Sequence, residues 1–370
     1  MKIQTTRDTL LDKVLYISRA MSPKVSNFIL SGIMLETADS LLNIYGTDLE
    51  TSIKSSTKVN IEREGRVVVP SKILVNVLKS FPESKIDLEL LNDTNELLVK
   101  CQKANFKLNT FSLEEFPQFP SISKKNSFSI RTDDLKFLIS KVQKACSTDE
   151  SRVILTGILL NLDKDLIKMA ATDSYRLGVA QSKVKYEGEP IMVVVPSRVL
   201  DTVAKSELSG GEIEINIEEN QISFSMTGEK ELSTLIISRL LSGKFPDYEK
   251  LIPQSFNHNI VVKREEMLEV IKRTASISQD NIPVRLDIEK GKITVSMNIR
   301  EVGSSSEDFE VSYGEEKIQI AFNPDFLIDG LNVINEDKII LSIVEPLKPV
   351  MMRSEKTDDL LYILMPIRIS

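Results

Sequence analysis

Three stretches of the chain read almost alike: Val67–Leu74 (VVVPSKIL), Val193–Leu200 (VVVPSRVL) and Ile320–Leu327 (IAFNPDFL). Their prolines, Pro70, Pro196 and Pro324, stand 126 and 128 residues apart in a chain of 370. A period of that length is too long for a solenoid unit and has the size of a domain, so the chain is expected to fold as one domain written three times. In each copy a β-rich run leads to Pro at or beside a helix start. Apolar residues at helical spacing follow: Ile73, Leu74, Val77 and Leu78, then Val199, Leu200 and Val203, then Leu327, Ile328 and Leu331.

A second helix opens every repeat. Arg7–Met21 puts Leu10, Val14, Ile17 and Met21 on one face, Asp133–Cys146 does so with Leu135, Leu138, Ile139 and Val142, and Arg264–Ile277 with Met267, Val270, Ile271 and Thr274. Alternating runs then start at Gly32, Gly157 and Val284, with turn residues such as Asp163–Asp165 and Glu289–Gly291 between them, and these read as antiparallel hairpins. Each copy closes on a proline beside an apolar residue, at Phe116-Pro117, Phe245-Pro246 and Met365-Pro366. The Pro-, Ser- and Asn-rich segments Pro117–Ser129 and Ile252–Asn259 serve as boundaries. The expected fold is therefore α+β, three tandem domains at 1–125, 126–253 and 254–370, each with two helices and about eight antiparallel strands.

Composition removes whole classes of chemistry. His258 is the one histidine, which excludes paired-histidine zinc sites and leaves a Ser-His-Asp triad without a second candidate. Cys101 and Cys146 lie 45 residues apart and sit among apolar residues at strand and helix spacing, as reduced buried thiols do. No cofactor or metal is expected. Leu208–Glu212 reads LSGGE, like the signature peptide of ATP-binding cassettes, but without a phosphate-binding GxxxxGK[ST] loop it reads as a Gly-Gly turn. The acidic pairs Asp163/Asp165, Asp133/Asp134 and Glu265/Glu266 fall in a hairpin turn and in helix first turns, where carboxylates are ordinary. An ATP-dependent or nucleotide-processing enzyme is the alternative that these features leave open, and a repeat-built structural module is a third. The start, MKIQTTRD, has no apolar signal core, and no run approaches a membrane span, so a cytoplasmic protein is expected.

A net charge of −7 argues at first sight against nucleic acid. The charge is unevenly spread, however. The first opening helix carries Arg7, Lys13 and Arg19, with Lys24 just after, against Asp8 and Asp12. Its following helix adds Lys72 and Lys79 without an acid, and the second opening helix carries Arg131, Lys136, Lys141 and Lys144 against Asp133 and Asp134. Repeat three does not follow, since its second helix bears Asp325 and Asp329.

The three copies, TDSYRL at Thr172–Leu177, FPDY at Phe245–Tyr248 and the ending LMPIRIS together resemble the bacterial replicative sliding clamps, the β subunits of DNA polymerase III, over the whole chain. The resemblance implies a DNA-clamp fold closed into a ring by a head-to-tail homodimer, with helices lining the hole, sheets outside, and duplex DNA threaded through without base readout. It implies a non-catalytic processivity subunit. Lys13, Arg19, Lys24, Lys72, Lys79, Lys136, Lys141, Lys144, Arg198 and Lys205 are the candidates for the DNA-facing surface. An acidic exterior with a basic lining reconciles the net charge with that role.

The resemblance further implies a partner-peptide cleft between repeats two and three. Its residues would be Leu155, Thr172, Ser174, Tyr175, Arg176, Leu177, Pro246, Leu251, Ile363, Leu364, Met365, Pro366, Ile367 and Arg368. Through it the DNA polymerase III catalytic subunit, the clamp loader, other polymerases and repair proteins would be held by short peptide motifs. Ser174-Tyr175 stands where the family has Gly-His, Ile367 where Met is common, and Ser370 extends past the usual end. Phe106 and Ile277 are the implied dimer-interface positions.

Overall fold

The computed structural model describes residues 1–21, 27–91, 93–124, 126–206, 210–228, 233–278, 282–356 and 359–368. Of the residues singled out above, Lys24, Leu208, Ser209 and Ser370 lie outside these. Six α-helices occur among the described residues, two per repeat: α1 (Arg7–Ile17), α2 (Ser71–Ser80), α3 (Thr132–Val142), α4 (Ser197–Ala204), α5 (Arg264–Ala275) and α6 (Pro324–Val333). The Thr6 hydroxyl caps α1 by accepting from Thr9 N at 3.2 Å, and Asn323 caps α6 by accepting from Asp325 N at 2.9 Å. The opening helices stop earlier than their apolar periodicity suggests, and α1 tightens into a 3-10 turn at Ser18–Ala20. There the Ser18 hydroxyl donates back to the Val14 carbonyl at 2.7 Å, and Ser18 and Ser71 share a further bond.

The chain packs as two compact units, Met1–Lys136 with Arg198–Leu240, and Phe137–Ser197 with Leu241–Ser370. The first holds a five-stranded sheet in the order 60–63, 2–6, 85–91, 96–101, 104–109 and an eight-stranded sheet. The eight-stranded sheet joins strands 127–131, 212–217, 221–227 and 233–239 of repeat two to strands 51–58, 41–47, 32–38 and 65–70 of repeat one. The second unit repeats the plan. Strands 191–196, 157–163, 166–172 and 176–183 of repeat two continue into 360–364, 350–354, 338–343 and 258–263 of repeat three, and a four-stranded sheet runs 303–310, 292–299, 284–289, 318–322.

All of the named strand pairs are antiparallel, and the seams are ordinary ladders: Ile236↔Ile53 in one unit, Val179↔Leu361 in the other. The packing units thus do not follow the repeat period, because repeat two contributes half its strands to each. Backbone groups at a strand edge need partners, and pairing across the repeat boundary supplies them. The core follows the two-residue alternation. Val284, Leu286 and Ile288 are buried on one strand, and Ile293, Val295, Met297 and Ile299 on its neighbour.

Lys141 departs from the DNA-facing expectation. It is 4% exposed, its ammonium lies 4.8 Å from the Phe137 ring centroid, and it donates to the Val333 carbonyl in the last turn of α6. Helix ends carry orphan carbonyls and partial negative charge, which a buried ammonium satisfies. Burial lowers the Lys141 pKa from the ordinary 10.5. The unfolded chain therefore binds more protons between the folded value and 10.5, and stability rises with pH through that window. Lys141→Met is expected to remove that rise and to cost about 1 kcal/mol at neutral pH for the lost bond. Urea melts in a series from about pH 7 to about pH 10.5 check both effects.

Candidate peptide-binding site

The second unit gathers most of the residues expected to form a cleft, and a turn makes the frame. Strand 166–172 ends at Thr172, whose hydroxyl donates to the Arg176 carbonyl at 2.7 Å and accepts from Ser174 N at 3.1 Å. Asp173 Oδ1 accepts from Tyr175 N and Arg176 N at 2.9 and 3.0 Å, an Asx turn. Ser174 has φ +81°, a conformation that glycine adopts freely and that costs a serine about 1 kcal/mol. Its hydroxyl accepts from Arg152, which also donates to the Asp173 carbonyl at 3.0 Å and so holds the turn from outside. Met365 N donates to the Tyr175 carbonyl at 2.9 Å, fastening the C-terminal strand to the same turn.

Apolar side chains fill the frame. Leu177 and Ile363 face each other across the strand pair and cluster with Leu159, Val179, Phe245 and Tyr248; Leu155 is also buried. The exposed rim is apolar too, with Tyr175 60%, Leu251 48% and Met365 42% accessible, and Pro246 and Arg368 exposed as well. Pro366 and Ile367 are half-buried, and Ile367 N is fixed to the Ala321 carbonyl at 2.7 Å. On the same sheet face, at the Val179–Leu361 pair, a cavity of about 280 Å³ opens beside Tyr248, Gln181 and Asp359.

Thr172 and Leu364 are buried supports, and Arg176 is largely spent on the frame. Thr172 spends its hydroxyl inside the turn. Leu364, one residue out of phase with Ile363, points through the opposite sheet face into the core beside Met267, Leu286 and Phe322. Arg176 has its side chain 11% exposed and two of its three nitrogens hydrogen-bonded. Nε bonds Asp173 Oδ2 at 3.0 Å, and one terminal nitrogen bonds Asp329 Oδ2 at 2.6 Å and the Tyr362 hydroxyl at 3.3 Å. Its guanidinium also lies 4.2 Å from the centroid of Phe326, whose ring stacks on Tyr175 at 6.5 Å.

Burial raises the Tyr362 pKa, and it pushes the Cys146 thiol up to about 11, which keeps it protonated at neutral pH. Sequence reasoning missed Arg152, Phe326, Asp329 and Tyr362. Asp329 and Phe326 were visible only as a non-basic helix, and the Asp329 link to Arg176 spans 153 residues of chain.

On the helices expected to face DNA, Arg19, Lys72, Lys79, Lys144, Arg198 and Lys205 are exposed, while Lys13 and Lys136 are half-buried. Lys136 donates to the Ser206 carbonyl at 2.7 Å, and Arg198 and Lys205 pair with Asp48 and Asp201, both at 2.6 Å. Phe106 is partly exposed on strand 104–109, which has a sheet neighbour on one side, and packs edge-on against Phe81 at 5.5 Å. Ile277 is half-buried just past α5. Gly210 and Gly211, from the LSGGE run, have φ +75° and +77° and turn the chain into strand 212–217, which explains both glycines without a nucleotide. No helix among the described residues is long and apolar enough to cross a membrane.

Comparison with known proteins covers the chain from end to end. Profiles of the DNA polymerase III beta subunit match in order: the N-terminal domain over residues 1–120, the central domain over 129–247 and the C-terminal domain over 249–368. The beta sliding clamp homolog GriR of Streptomyces muensis is 30% identical, with 100% of this chain and 99% of that protein covered. The crystal structure of the Bacillus subtilis DNA polymerase sliding clamp superposes with a TM-score of 0.91 at 28% identity, covering 100% of both chains. The Pseudomonas aeruginosa clamp bound to griselimycin does so with a TM-score of 0.90 at 27% identity, again over 100% of both chains. The chain belongs to the DNA polymerase III beta subunit family, the non-catalytic sliding clamps of DNA replication.

Proposed function

We propose that two copies of the chain close head to tail into a ring that threads duplex DNA, with domains at 1–125, 126–253 and 254–370 in each copy. The observation that carries this reading is the ordered match of all three family domains across one chain. Strands 104–109 and 303–310, each at the end of its sheet, are the edges that would pair between copies, near Phe106 and Ile277. The exposed bases on α1's end, α2, α3's end and α4 would meet phosphates without reading sequence. The protein works in the cytoplasm, at the nucleoid during replication.

The cleft of the second unit takes short apolar peptide segments of polymerases, the clamp loader and repair factors. Exposed Tyr175, Leu251 and Met365 over a Leu177–Ile363 floor suit Leu, Phe or Met side chains, and griselimycin in the P. aeruginosa relative supports a site of this kind. Removing Met365–Ser370 is expected to weaken binding of polymerase-derived peptides at least about 100-fold, equivalent to about 2.7 kcal/mol, while light scattering still reports a dimer. Unchanged affinity in the truncated protein overturns the cleft, and a monomer at micromolar concentration overturns the ring.

A further inference from the structure

The first unit contains the turn of the second almost bond for bond. Thr47, Asp48, Leu49, Glu50, Thr51 and Ser52 stand where the other has Thr172 through Leu177. Leu49 N donates to Thr47 Oγ1 at 3.0 Å, and Asp48 Oδ1 accepts from Glu50 N and Thr51 N at 3.1 and 2.8 Å. Leu49 has φ +73°, matching Ser174. Arg239 N donates to the Glu50 carbonyl at 2.9 Å, as Met365 N does to Tyr175, and Ser52 faces Ile237 as Leu177 faces Ile363. An arginine also sits on the turn aspartate in both, Arg198 on Asp48 and Arg176 on Asp173. The Phe116-Pro117 loop takes the place of Phe245-Pro246.

The lining differs. A cavity of about 140 Å³ is bounded by Thr47, Glu50, Ser52, Pro117, Gln221 and Arg239. Ser52 replaces Leu177 and is hydrogen-bonded to Thr47 at 2.8 Å. Glu50 and Arg239 replace Tyr175 and Met365, and their exposed charges stand 3.6 Å apart, a surface pair of little energy. Gln221, which lines the cavity, has its Oε1 closed to solvent and without a hydrogen-bond partner among the described residues; a buried acceptor left unmatched costs about 1–3 kcal/mol, which an incoming N–H would recover once this half-buried side chain turns toward the cavity.

We infer that the junction of repeats one and two is a second peptide-docking cleft on the same backbone frame. Glu50, Ser52 and Arg239 make it take an extended hydrophilic segment, rich in Ser, Asn or Gln, where the first takes an apolar one. The inference rests on the reading of the first cleft. A Ser, Asn or Gln segment supplies the donor that Gln221 requires and leaves both mouth charges hydrated, whereas an apolar side chain would strand all three groups.

The frame is tested with griselimycin as the probe, by calorimetry. The wild type is expected to bind one molecule per chain, and Leu251→Glu with Met365→Glu, both on the exposed rim, to bind none. In that blocked background, Glu50→Tyr, Ser52→Leu and Arg239→Met are expected to restore one site per chain. A variant with the exposed changes Glu50→Tyr and Arg239→Met alone, checked by its melting curve, guards against overpacking at Ser52. Restored binding in either supports the frame. A folded, silent pair of variants overturns the shared frame and leaves the first cleft standing. Binding that survives the rim changes, or is absent from the wild type, counts against the first cleft instead, and the ligand arm still judges the second.

For the ligand class, the probe is the peptide Ac-Gly-Ser-Gln-Asn-Ser-Gly-NH2, titrated against protein labelled at the Ile237 δ-methyl. Saturable shifts with a Kd of about 1 mM are expected, weakened about tenfold by Gln221→Leu. No saturable shift up to about 10 mM overturns the assignment.

Discussion

Loaded onto a nicked circular plasmid, the protein will stay bound through a salt wash and leave within seconds once the circle is cut. Sequence-independent phosphate contacts give dissociation constants of about 10⁻⁴–10⁻⁶ M, which at charge-steered association rates of about 10⁸ M⁻¹s⁻¹ correspond to residence times of about 10 ms or less. Exposed Arg19, Lys72, Lys79, Lys144, Arg198 and Lys205 supply contacts of this weak kind, and three of them, Arg19, Arg198 and Lys205, are already shared with Asp48 and Asp201. Closure must therefore hold the protein on DNA, and retention on the circle should exceed that on the linear form by at least about 10³ in lifetime. Salt separates the explanations. Contact-limited binding with six or more phosphates falls by about 10³ or more between 50 and 200 mM salt, whereas a closed ring on a circle does not respond to that change. Gel filtration of the loaded complex, before and after linearisation and with a clamp loader supplied, reads the result; equal retention on both forms would sink the ring.

Arg176→Ala is expected to lower the stability of the second unit by about 2–4 kcal/mol and to abolish peptide binding. Removing one member of a buried ion pair leaves its partners charged and unpaired, which typically costs about 3–5 kcal/mol; Asp329 keeps some access to water, which discounts the figure. The Tyr362 hydroxyl loses its partner as well, and Phe326 loses the cation that rests on it. Tyr175 then has nothing to hold the ring it stacks on. Lysine does not substitute, because a single ammonium cannot span Asp173, Asp329 and Tyr362 with fixed fork geometry. Arg176→Met combined with Asp329→Leu should recover about half of the lost stability without recovering binding, since the charges go but the turn stays unfastened. Urea midpoints and peptide titrations check each; an Arg176→Ala protein with wild-type affinity would show that the cleft does not depend on this support.

What the chain reveals on reading depends on distance along it. The six helices were legible because apolar residues three and four apart report a helix locally, and the strands because alternation does. The seams at Ile236↔Ile53 and Val179↔Leu361 were not, since nothing in a strand's own sequence names its neighbour across a repeat boundary. The same limit hid Asp329 and Tyr362 behind Arg176. Lys141 misled for a different reason. A lysine among lysines on a helix reads as solvated, and only the end of α6, nearly two hundred residues later, shows what it satisfies. Leu364 entered the cleft set through the family resemblance, although strand alternation alone places it on the face opposite Ile363.

The middle repeat lends four strands to each unit, so the chain cannot be dissected where its sequence repeats. A fragment ending at residue 125 would bare Thr51–Ser55 of strand 51–58, and one starting at 254 would bare strand 360–364. Such raw edges invite self-association. A soluble piece would need to include the strands borrowed from the middle repeat. Duplication wrote the chain in thirds, and hydrogen bonding made it divisible only in halves.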